Sequence, residues 1–195
     1  MVILRFETPT ARPPRAPAAD GAILGERSTR PQALLADVDE LLAEAKLAPA
    51  ELMGIVVGTG PGSFTGTRIG LAVARGLSLS LGIPVAGVST LAALATAVDA
   101  AYPVVDARRG EVFVLGPTAV RPEDIEIPAG SVLVGDGARR YRDLLLERGA
   151  NVPPAESELH VPRASLHAAL ATDFGPADAV EPVYVREPDA KRWVA

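Results

Sequence analysis

The sequence predicts an α/β fold, and three observations support that prediction. Short apolar runs typical of buried strands alternate with segments of helical periodicity. A glycine-rich turn joins one apolar run directly to a helix-like segment. The chain has 195 residues, 48% of them hydrophobic, which is enough to bury a core in one domain or two small lobes. We place a lobe boundary near Asp99–Tyr102, which divides the chain into an N-terminal lobe, 1–99, and a C-terminal lobe, 100–195.

The first part of the chain is predicted to form strand, loop, strand and helix. Val2–Phe6 has the composition of a strand, and Thr8–Pro17 contains four prolines within nine residues. A central strand does not accommodate so many prolines, so we expect a loop or a ragged edge there. Ala22–Arg27 is predicted as a short strand. Pro31 suits a first helical position and opens a helix to about Lys46, whose apolar face is formed by Leu34, Leu35, Val38, Leu41, Leu42 and Ala45.

The middle of the chain is predicted as strand, helix, strand and helix. Met53–Val57 is an apolar run, and Gly66–Leu81 has helical character. Gly82 before Ile83-Pro84 is a strong stop signal. The next strand is Pro84–Val88, after which Ser89 caps a helix that runs to about Val98.

The last part of the chain begins with a predicted hairpin. Tyr102–Asp106 and Glu111–Leu115 flank Ala107–Gly110, the turn between the two strands. Further strands and helices follow, again in alternation. They are a strand at Val132–Gly135 and helices near Ala138–Arg148 and Arg163–Thr172.

The most informative motif is the glycine loop, Gly58–Gly70. Five glycines and a proline build a turn in which backbone N–H groups are accessible, next to the positive end of a helix. An anion or a partner's carboxylate would suit that place. The loop lacks the lysine of a nucleotide P-loop and the spacing of a dinucleotide fingerprint. The alternative is a tight turn without a ligand. The residues singled out here are Gly60, Gly62, Ser63, Phe64, Thr65, Gly66 and Arg68.

The helix after this loop has small residues on a broad face. Ala72, Gly76 and Ser80 lie four residues apart, so a second helix could approach closely. A helix so uniformly nonpolar must be covered, either by its own sheet or by another chain. Internal burial is the commoner answer, and a subunit interface is the other.

Catalytic and metal-binding residues are hard to find. The chain has no cysteine, and its two histidines, His160 and His167, are seven residues apart, which does not match a zinc-binding helix. We interpret both as surface or structural residues. Glu7, at the end of the first strand, could coordinate a metal ion bound to phosphates, but a single carboxylate is a weak indication of a metal site. Asp106, Arg108, Arg109 and Glu111 form either a substrate-holding group or a solvated set of ion pairs. We predict no catalytic residue and no metal site.

Charge and hydropathy exclude further classes. The net charge is −5, so we expect no tight autonomous binding of nucleic acid, and any RNA would require another subunit. No apolar run is long enough to span a membrane. The start of the chain lacks the pattern of a signal peptide. We expect a cytoplasmic protein.

Four segments together match a known family. They are Gly60–Gly70, Ile83–Leu91, Asp106–Phe113 and Pro182–Arg186, and the last contains a short Tyr-x-Arg element. These segments resemble the TsaB (YeaZ) family. The resemblance is dense from about Gly54 to Leu115 and thinner elsewhere, and the eleven-residue glycine run is its most specific part.

The resemblance implies an actin-like, ribonuclease-H-like fold of two lobes, the ASKHA fold. It also implies a non-catalytic subunit that binds and stabilises TsaD, the transferase that places a threonylcarbamoyl group on a tRNA adenosine beside the anticodon. A small ATPase, TsaE, would join the assembly, and tRNA would be reached only through the complex. Alone, the chain would form a homodimer. No cofactor would be bound tightly, and ATP or ADP with Mg²⁺ would belong to the partner subunit.

The resemblance also suggests where contacts lie. The predicted helices Pro31–Lys46 and Gly66–Leu81 would form the partner interface. The glycine loop would shape an adjoining surface where a nucleotide would lie. The chain departs from the family after Phe6, where an Asp-Thr-Ser-like turn is expected, which puts the first hairpin and any phosphate contact there in doubt. Fewer residues than usual follow Val152, which suggests a trimmed C-terminal lobe. The predicted contact residues are Leu34, Leu35, Val38, Leu41, Leu42, Ala72, Arg75, Gly76, Leu79 and Ser80.

Two alternatives from other classes stay open at this point. One is an enzyme, either a small ATPase or kinase of the ASKHA type or an M22-like peptidase homologue. An actin-like kinase needs a second phosphate loop and a metal-holding aspartate, and the sequence offers only Glu7 and one loop. The other alternative is a homodimeric scaffold without a TsaD partner.

Overall fold

A mixed β-sheet forms the first half of the protein. The computed structural model describes residues 2–7 and 31–186 in full, and the backbone of 14–19, 22–23 and 27–28. The strands are β1 (Val2–Phe6), β2 (Pro14–Ala19), β3 (Ala22–Ile23), β4 (Arg27–Ser28), β5 (Leu52–Gly60) and β6 (Val85–Ser89). Their order in the sheet is β3-β2-β1-β5-β6, and β4 also pairs with β2. β1 is antiparallel to β2 and parallel to β5, which is parallel to β6.

A strand covers residues 14–19, which corrects the prediction of a loop or a ragged edge where the two overlap, at residues 14–17. Pro17 pairs with Leu4 of β1. On the other side of β2, β3 pairs only with Ala18 and Ala19, and β4 only with Pro14 and Arg15. Among the strands that the structure describes, none pairs with Pro17 on that side, so none of them needs the N–H that proline lacks. The first hairpin therefore exists without the expected turn sequence. The remainder of the predicted loop, 8–13, lies outside the described residues.

Only part of the second predicted strand, Ala22–Arg27, is a strand in the structure. β3 covers Ala22–Ile23, and Arg27 opens the separate strand β4. Residues 24–26 lie outside the described residues.

Two helices cover one face of the sheet. α1 (Leu34–Glu44) follows a 3₁₀ turn at Pro31–Ala33, and α2 (Phe64–Leu81) follows β5. Leu4 and Phe6 of β1 point to this face because side chains alternate along a strand. They pack in one apolar cluster with residues of both helices, among them Leu34, Val38, Leu42, Leu71 and Ala74.

Two shorter helices cover the opposite face. α3 (Thr90–Ala95) and α6 (Ala164–Leu170) pack against β1, β5 and β6. Ser89 caps α3 as predicted, because its Oγ accepts a hydrogen bond from the N–H of Ala92 at 3.4 Å. The apolar cluster on this face includes Ile3, Val56, Ala86, Val88 and Ala93, with Leu166 and Leu170 packed against it.

The second half contains two small sheets and two short helices. Tyr102 belongs to a strand that pairs in parallel with β11, not to the hairpin as predicted, and the hairpin begins at Val105. The predicted helix 138–148 is two helices, because Tyr141 leaves helical geometry with φ −105°. The elements are β7 (Ala101–Pro103), β8 (Val105–Arg108), β9 (Glu111–Val114), β10 (Thr118–Val120), β11 (Val132–Val134), α4 (Asp136–Arg140) and α5 (Arg142–Glu147).

The chain then returns to the first sheet. α6 packs on that sheet, and Gly175 exchanges two backbone hydrogen bonds with Val85 of the edge strand β6, at 2.9 and 3.1 Å. The segment 183–186 continues across to the second half of the molecule. A lobe boundary at residue 99 stays a prediction, and the last described part of the chain contacts both halves.

Candidate functional site

The apolar face of α1 lies inside the protein. Leu34, Val38, Leu41 and Leu42 are 1% to 4% exposed. Leu34, Val38 and Leu42 pack in the core between α1 and the sheet, and Leu41 is buried to the same extent. Side chains buried this deeply cannot contact a partner while this fold is intact. The structure therefore contradicts the prediction that these four are interface residues. The fifth residue predicted on α1, Leu35, is 56% exposed and remains on the surface.

The face of α2 that points away from the sheet is open. Ala72, Gly76 and Ser80 are exposed, and Leu79 is 88% exposed, the most of the exposed large hydrophobic residues in the described part of the chain. A Cβ built on Gly76 would meet no heavy atom within 4 Å. The other side of α2, including Leu71 and Ala74, is buried on the sheet. α2 thus has one nonpolar face covered by its own sheet and one that nothing in the described chain covers.

Arg75, also predicted as a contact residue, binds the chain's own backbone. Its Nε donates to the carbonyl oxygen of Ala177 at 3.3 Å, and its Nη2 donates to that of Val180 at 2.9 Å. These bonds fasten the segment after α6 to α2. A contact of Arg75 with a partner stays a prediction.

The glycine loop leads into α2 through a capped turn. The peptide bond between Gly60 and Pro61 is cis, and Gly60 has φ +90°, which favours glycine. The Oγ of Ser63 accepts a hydrogen bond from the N–H of Gly66, and its carbonyl oxygen accepts one from the N–H of Thr67. Two N–H groups of the first turn are therefore satisfied internally, so the loop offers an anion fewer donors than the sequence suggested. α2 begins at Phe64, two residues before the predicted start.

A cleft of about 640 Å³ lies beside this loop. Its walls are the loop with the start of α2, the β8–β9 hairpin and the segment 183–186. We call this site the arginine cleft, because four arginines line it. They are Arg68, Arg108, Arg109 and Arg186, next to Phe64, Phe113 and Tyr184.

The segment 183–186 forms one wall of the cleft and holds its sides together. The N–H of Val183 donates to the carbonyl oxygen of Thr59 at 2.9 Å. Tyr184 Oη accepts a hydrogen bond from Arg68 Nε at 2.9 Å, on the α2 side. Arg186 donates to Glu111 and to the carbonyl oxygen of Ala107, on the hairpin side. The short Tyr-x-Arg element noted in the sequence is therefore a bridge between the halves.

Asp106 lies at the base of the hairpin in a network of its own. Its Oδ2 forms ion pairs with Nη1 of Arg108 and Nη1 of Arg140, at 3.1 and 3.0 Å. Its backbone N–H donates to Asp136 Oδ1 at 2.9 Å. The negative charge of Asp106 raises the pKa of Arg140. The sequence left two interpretations of this charged cluster, a group that holds a substrate or a set of ion pairs. The structure shows ion pairs for Asp106 and also for Glu111, which pairs with Arg186.

A buried acid and a buried histidine meet beneath the loop. Glu7 and His167 are at most 1% exposed, and Nε2 of His167 contacts Oε2 of Glu7. Thr90 Oγ1 donates to the same carboxyl group at 3.1 Å. Gly58 leaves room for it, since a Cβ there would stand 1.8 Å from Glu7 Oε2. Burial raises the pKa of Glu7, and the contacts with His167 and Thr90 oppose that shift.

Nothing in the sequence marks this pair, because its members are 160 positions apart and only the packing of α6 on β1 joins them. The other histidine, His160, is also buried, with Nε2 at 3.3 Å from the carbonyl oxygen of Pro153. Both histidines are thus structural, one of the two roles predicted. Among the residues that the structure describes, no group of three acidic, histidine or cysteine side chains could hold a metal ion. None of the described helices is long and apolar enough to cross a membrane.

A mixed sheet with helices on both faces, a smaller second half and a cleft between them define an α/β protein of the actin-like class. Comparison with known proteins gives the family. Residues 30–136 match the family model described as TsaD, tRNA N6-adenosine threonylcarbamoyltransferase. An uncharacterized protein of Mycobacterium tuberculosis is 36% identical over 187 residues, covering 88% of this chain and 84% of that protein.

Two further relatives carry informative names. The tRNA threonylcarbamoyladenosine biosynthesis protein TsaB of Escherichia coli is 30% identical over 186 residues, covering 80% of each chain. The solved structure of YeaZ from Pseudomonas aeruginosa superposes with a TM-score of 0.78 at 27% identity, covering 94% of this chain and 99% of that one. The chain belongs to the TsaB (YeaZ) family, and the predicted actin-like α/β fold is confirmed.

Proposed function

We propose that this chain is the TsaB-like subunit that binds and stabilises a TsaD-type transferase in the biosynthesis of threonylcarbamoyladenosine next to the tRNA anticodon. The observation that supports the proposal best is the uncovered face of α2, formed by Ala72, Gly76, Leu79 and Ser80. The names of the relatives supply the pathway, and the family model supplies the partner's class.

The chemistry of this face suits a helix of another protein. Ala72, Gly76 and Ser80 have little or no side chain, so a second helix can pack closely along them. Leu79 stands beside this row with 88% of its surface in water. Burying such a side chain contributes roughly 1.5–3 kcal/mol. Gly76 is the point of closest approach, because it carries no side chain.

We propose that the chain has no catalytic activity of its own. In support, Glu7 is enclosed with His167 and Thr90, and Asp106 and Glu111 are paired with arginines. These carboxylates are not placed as free acids or bases in the arginine cleft. ATP or ADP with Mg²⁺ would bind at the partner subunits, and the family resemblance adds a TsaE-like ATPase to the assembly.

A second copy of the chain is the other occupant that the open α2 face supports. An exposed nonpolar stripe closes against an identical stripe as readily as against a related helix. We expect homodimers when no TsaD-type protein is present, and the transferase to compete with them. A homodimer that persists with the transferase in excess would favour the plain scaffold.

The test is a single substitution at the closest point. Gly76→Arg should abolish co-elution with the purified TsaD-type protein in size-exclusion chromatography, because a long charged side chain would separate the two helices. The space around Gly76 is open, so the circular dichroism spectrum and the unfolding midpoint should stay unchanged. Ala169→Arg, at an exposed helical position on α6, is the matched control and should bind like the natural sequence. Unchanged affinity of the Gly76→Arg variant would exclude α2 as the docking surface.

A further inference from the structure

We propose that the arginine cleft binds the phosphate backbone of RNA, so that this subunit contacts the tRNA directly within the complex. This inference rests on the proposed function for the identity of the RNA. It differs from the sequence-based expectation, in which RNA is reached only through another subunit.

The charge of the cleft is opposite to that of the whole chain. The net charge of the protein is −5, yet four arginines line the cleft, and its described lining includes no aspartate or glutamate. The partners of Arg68 are the hydroxyl of Tyr184 and the ring of Phe64, which are both neutral. Arg186 is neutralised by Glu111. Arg108 shares the carboxylate of Asp106 with Arg140, so this carboxylate does not neutralise both guanidinium groups. The cleft therefore keeps the positive charge of Arg68 and part of the charge of Arg108.

The geometry leaves these two guanidinium groups able to bind phosphate. Arg68 uses Nε for Tyr184, and its two terminal amino groups have no acceptor among the described residues. A guanidinium donates in a planar fork that matches two phosphate oxygens. The side chain of Arg108 is 62% exposed although it contacts Asp106. Phosphate could therefore bind without breaking the internal bonds that hold the cleft together.

Exposed aromatic rings favour a nucleotide chain over an acidic peptide. Phe64 and Tyr184 are 40% and 44% exposed, and their ring centroids are 5.3 Å apart. The guanidinium carbon of Arg68 lies 3.9 Å from the centroid of the Phe64 ring. Unstacked RNA bases stack on aromatic rings and on guanidinium planes, and such stacking tolerates any base. A peptide carboxylate would use the arginines but not this flat surface.

The position of the cleft places RNA at the junction with the partner. Arg68 and Gly76 are eight residues apart on α2, about 12 Å along the helix axis. A transferase docked at Gly76 would therefore stand next to the cleft, and an RNA strand bound there would touch both proteins. The volume of about 640 Å³ exceeds the needs of a single phosphate.

The experiment uses this chain in complex with the TsaD-type protein and a labelled unmodified tRNA transcript as the probe. Affinity is measured by fluorescence anisotropy at salt concentrations from about 50 to about 300 mM. Over this range the loss of affinity with salt reports the number of phosphate contacts. Arg108→Gln and the double variant Arg68→Gln with Arg108→Gln are compared with Arg163→Gln. The control removes the same charge from an exposed ion pair with Glu158, outside the cleft.

We expect the double variant to weaken tRNA binding roughly tenfold at 0.15 M salt and to lower the slope of log affinity against log salt by about 2. Arg108→Gln alone should lower that slope by about 1, and Arg163→Gln should leave it unchanged. If Arg68→Gln destabilises the chain, the single Arg108→Gln variant decides the result. All variants should still co-elute with the transferase, because none alters the face around Gly76.

Two outcomes would overturn the inference. One is an intact complex in which the cleft variants bind tRNA with unchanged affinity and salt slope. The other is displacement of the tRNA by AMP at the same molar concentration, which would show a site for a free nucleotide. Failure of the natural chain to form the complex would instead overturn the proposed function, so the two failures can be told apart.

Discussion

The two helices on one face of the sheet, α1 and α2, both have a nonpolar side that packs on the sheet. They differ in the residues on their other side. α1 has large side chains in one stripe, with acidic residues on the other side, and the sheet buries that stripe. α2 has small and nonpolar residues around most of its circumference, and the sheet covers only one side. The nonpolar stripe of α1, which lies opposite a charged one, therefore packs in the protein's own core. α2 is nonpolar on two sides, so the sheet leaves one nonpolar side uncovered, and this is the side that we propose another chain covers.

The largest effect should come from a residue on the covered face. Leu41→Ala should lower the free energy of unfolding by about 2–5 kcal/mol, because it removes a fully buried side chain and leaves a cavity. Urea denaturation followed by circular dichroism measures this loss. The folded variant should bind the TsaD-type partner with the natural affinity. A large loss of affinity with little loss of stability would reverse the roles of the two helices.

A smaller effect on stability concerns the opposite face of the sheet, where the buried carboxyl group of Glu7 follows β1. The pKa of Glu7 is raised above the ordinary value of 4.5, so the unfolded chain releases this proton at a lower pH than the folded chain does. The contribution of Glu7 to stability is therefore fully present below about pH 4.5, and it falls as pH rises through the folded pKa. Glu7→Gln cannot titrate and keeps a polar partner for His167.

The measurement for Glu7 compares urea unfolding of the natural chain and of Glu7→Gln from pH 4 to pH 8. The free energy of unfolding of the natural chain should decrease relative to that of Glu7→Gln as pH rises. A difference that is independent of pH would mean that Glu7 has the same pKa in the folded and unfolded chain.

Local signals in the sequence predicted much of the fold. α2 ends before Gly82, which has φ +68° as a left-handed cap should, and Ser89 caps α3. The strand at Val132 is present within one residue of its predicted end. These features depend on a few neighbouring residues, so the sequence contains their cause. The strand at Pro14–Ala19 was missed because a strand accepts proline only at positions where no neighbouring strand needs its N–H, and those positions depend on the whole sheet.

The candidate site was predictable in part. The glycine loop and the small residues of α2 were evident, and the structure leaves that face of α2 open. The sequence could not show which helix face the sheet covers, since both helices have enough nonpolar residues to fill it. It also could not show that Arg68 and Arg108, which are forty positions apart, line one cleft, or that Glu7 meets His167. Such contacts arise only when distant elements pack together.

One measurement tests the central claim most directly, and the absence of cysteine from the chain makes it clean. Single variants Leu79→Cys, Leu41→Cys and Ala169→Cys are treated with a maleimide, alone and with the TsaD-type protein in excess. At a concentration low enough to keep the chain monomeric, we predict that Leu79→Cys and Ala169→Cys react rapidly alone and that Leu41→Cys reacts slowly. The transferase should protect only Leu79→Cys. Equal reactivity of Leu79→Cys with and without the transferase would contradict the account.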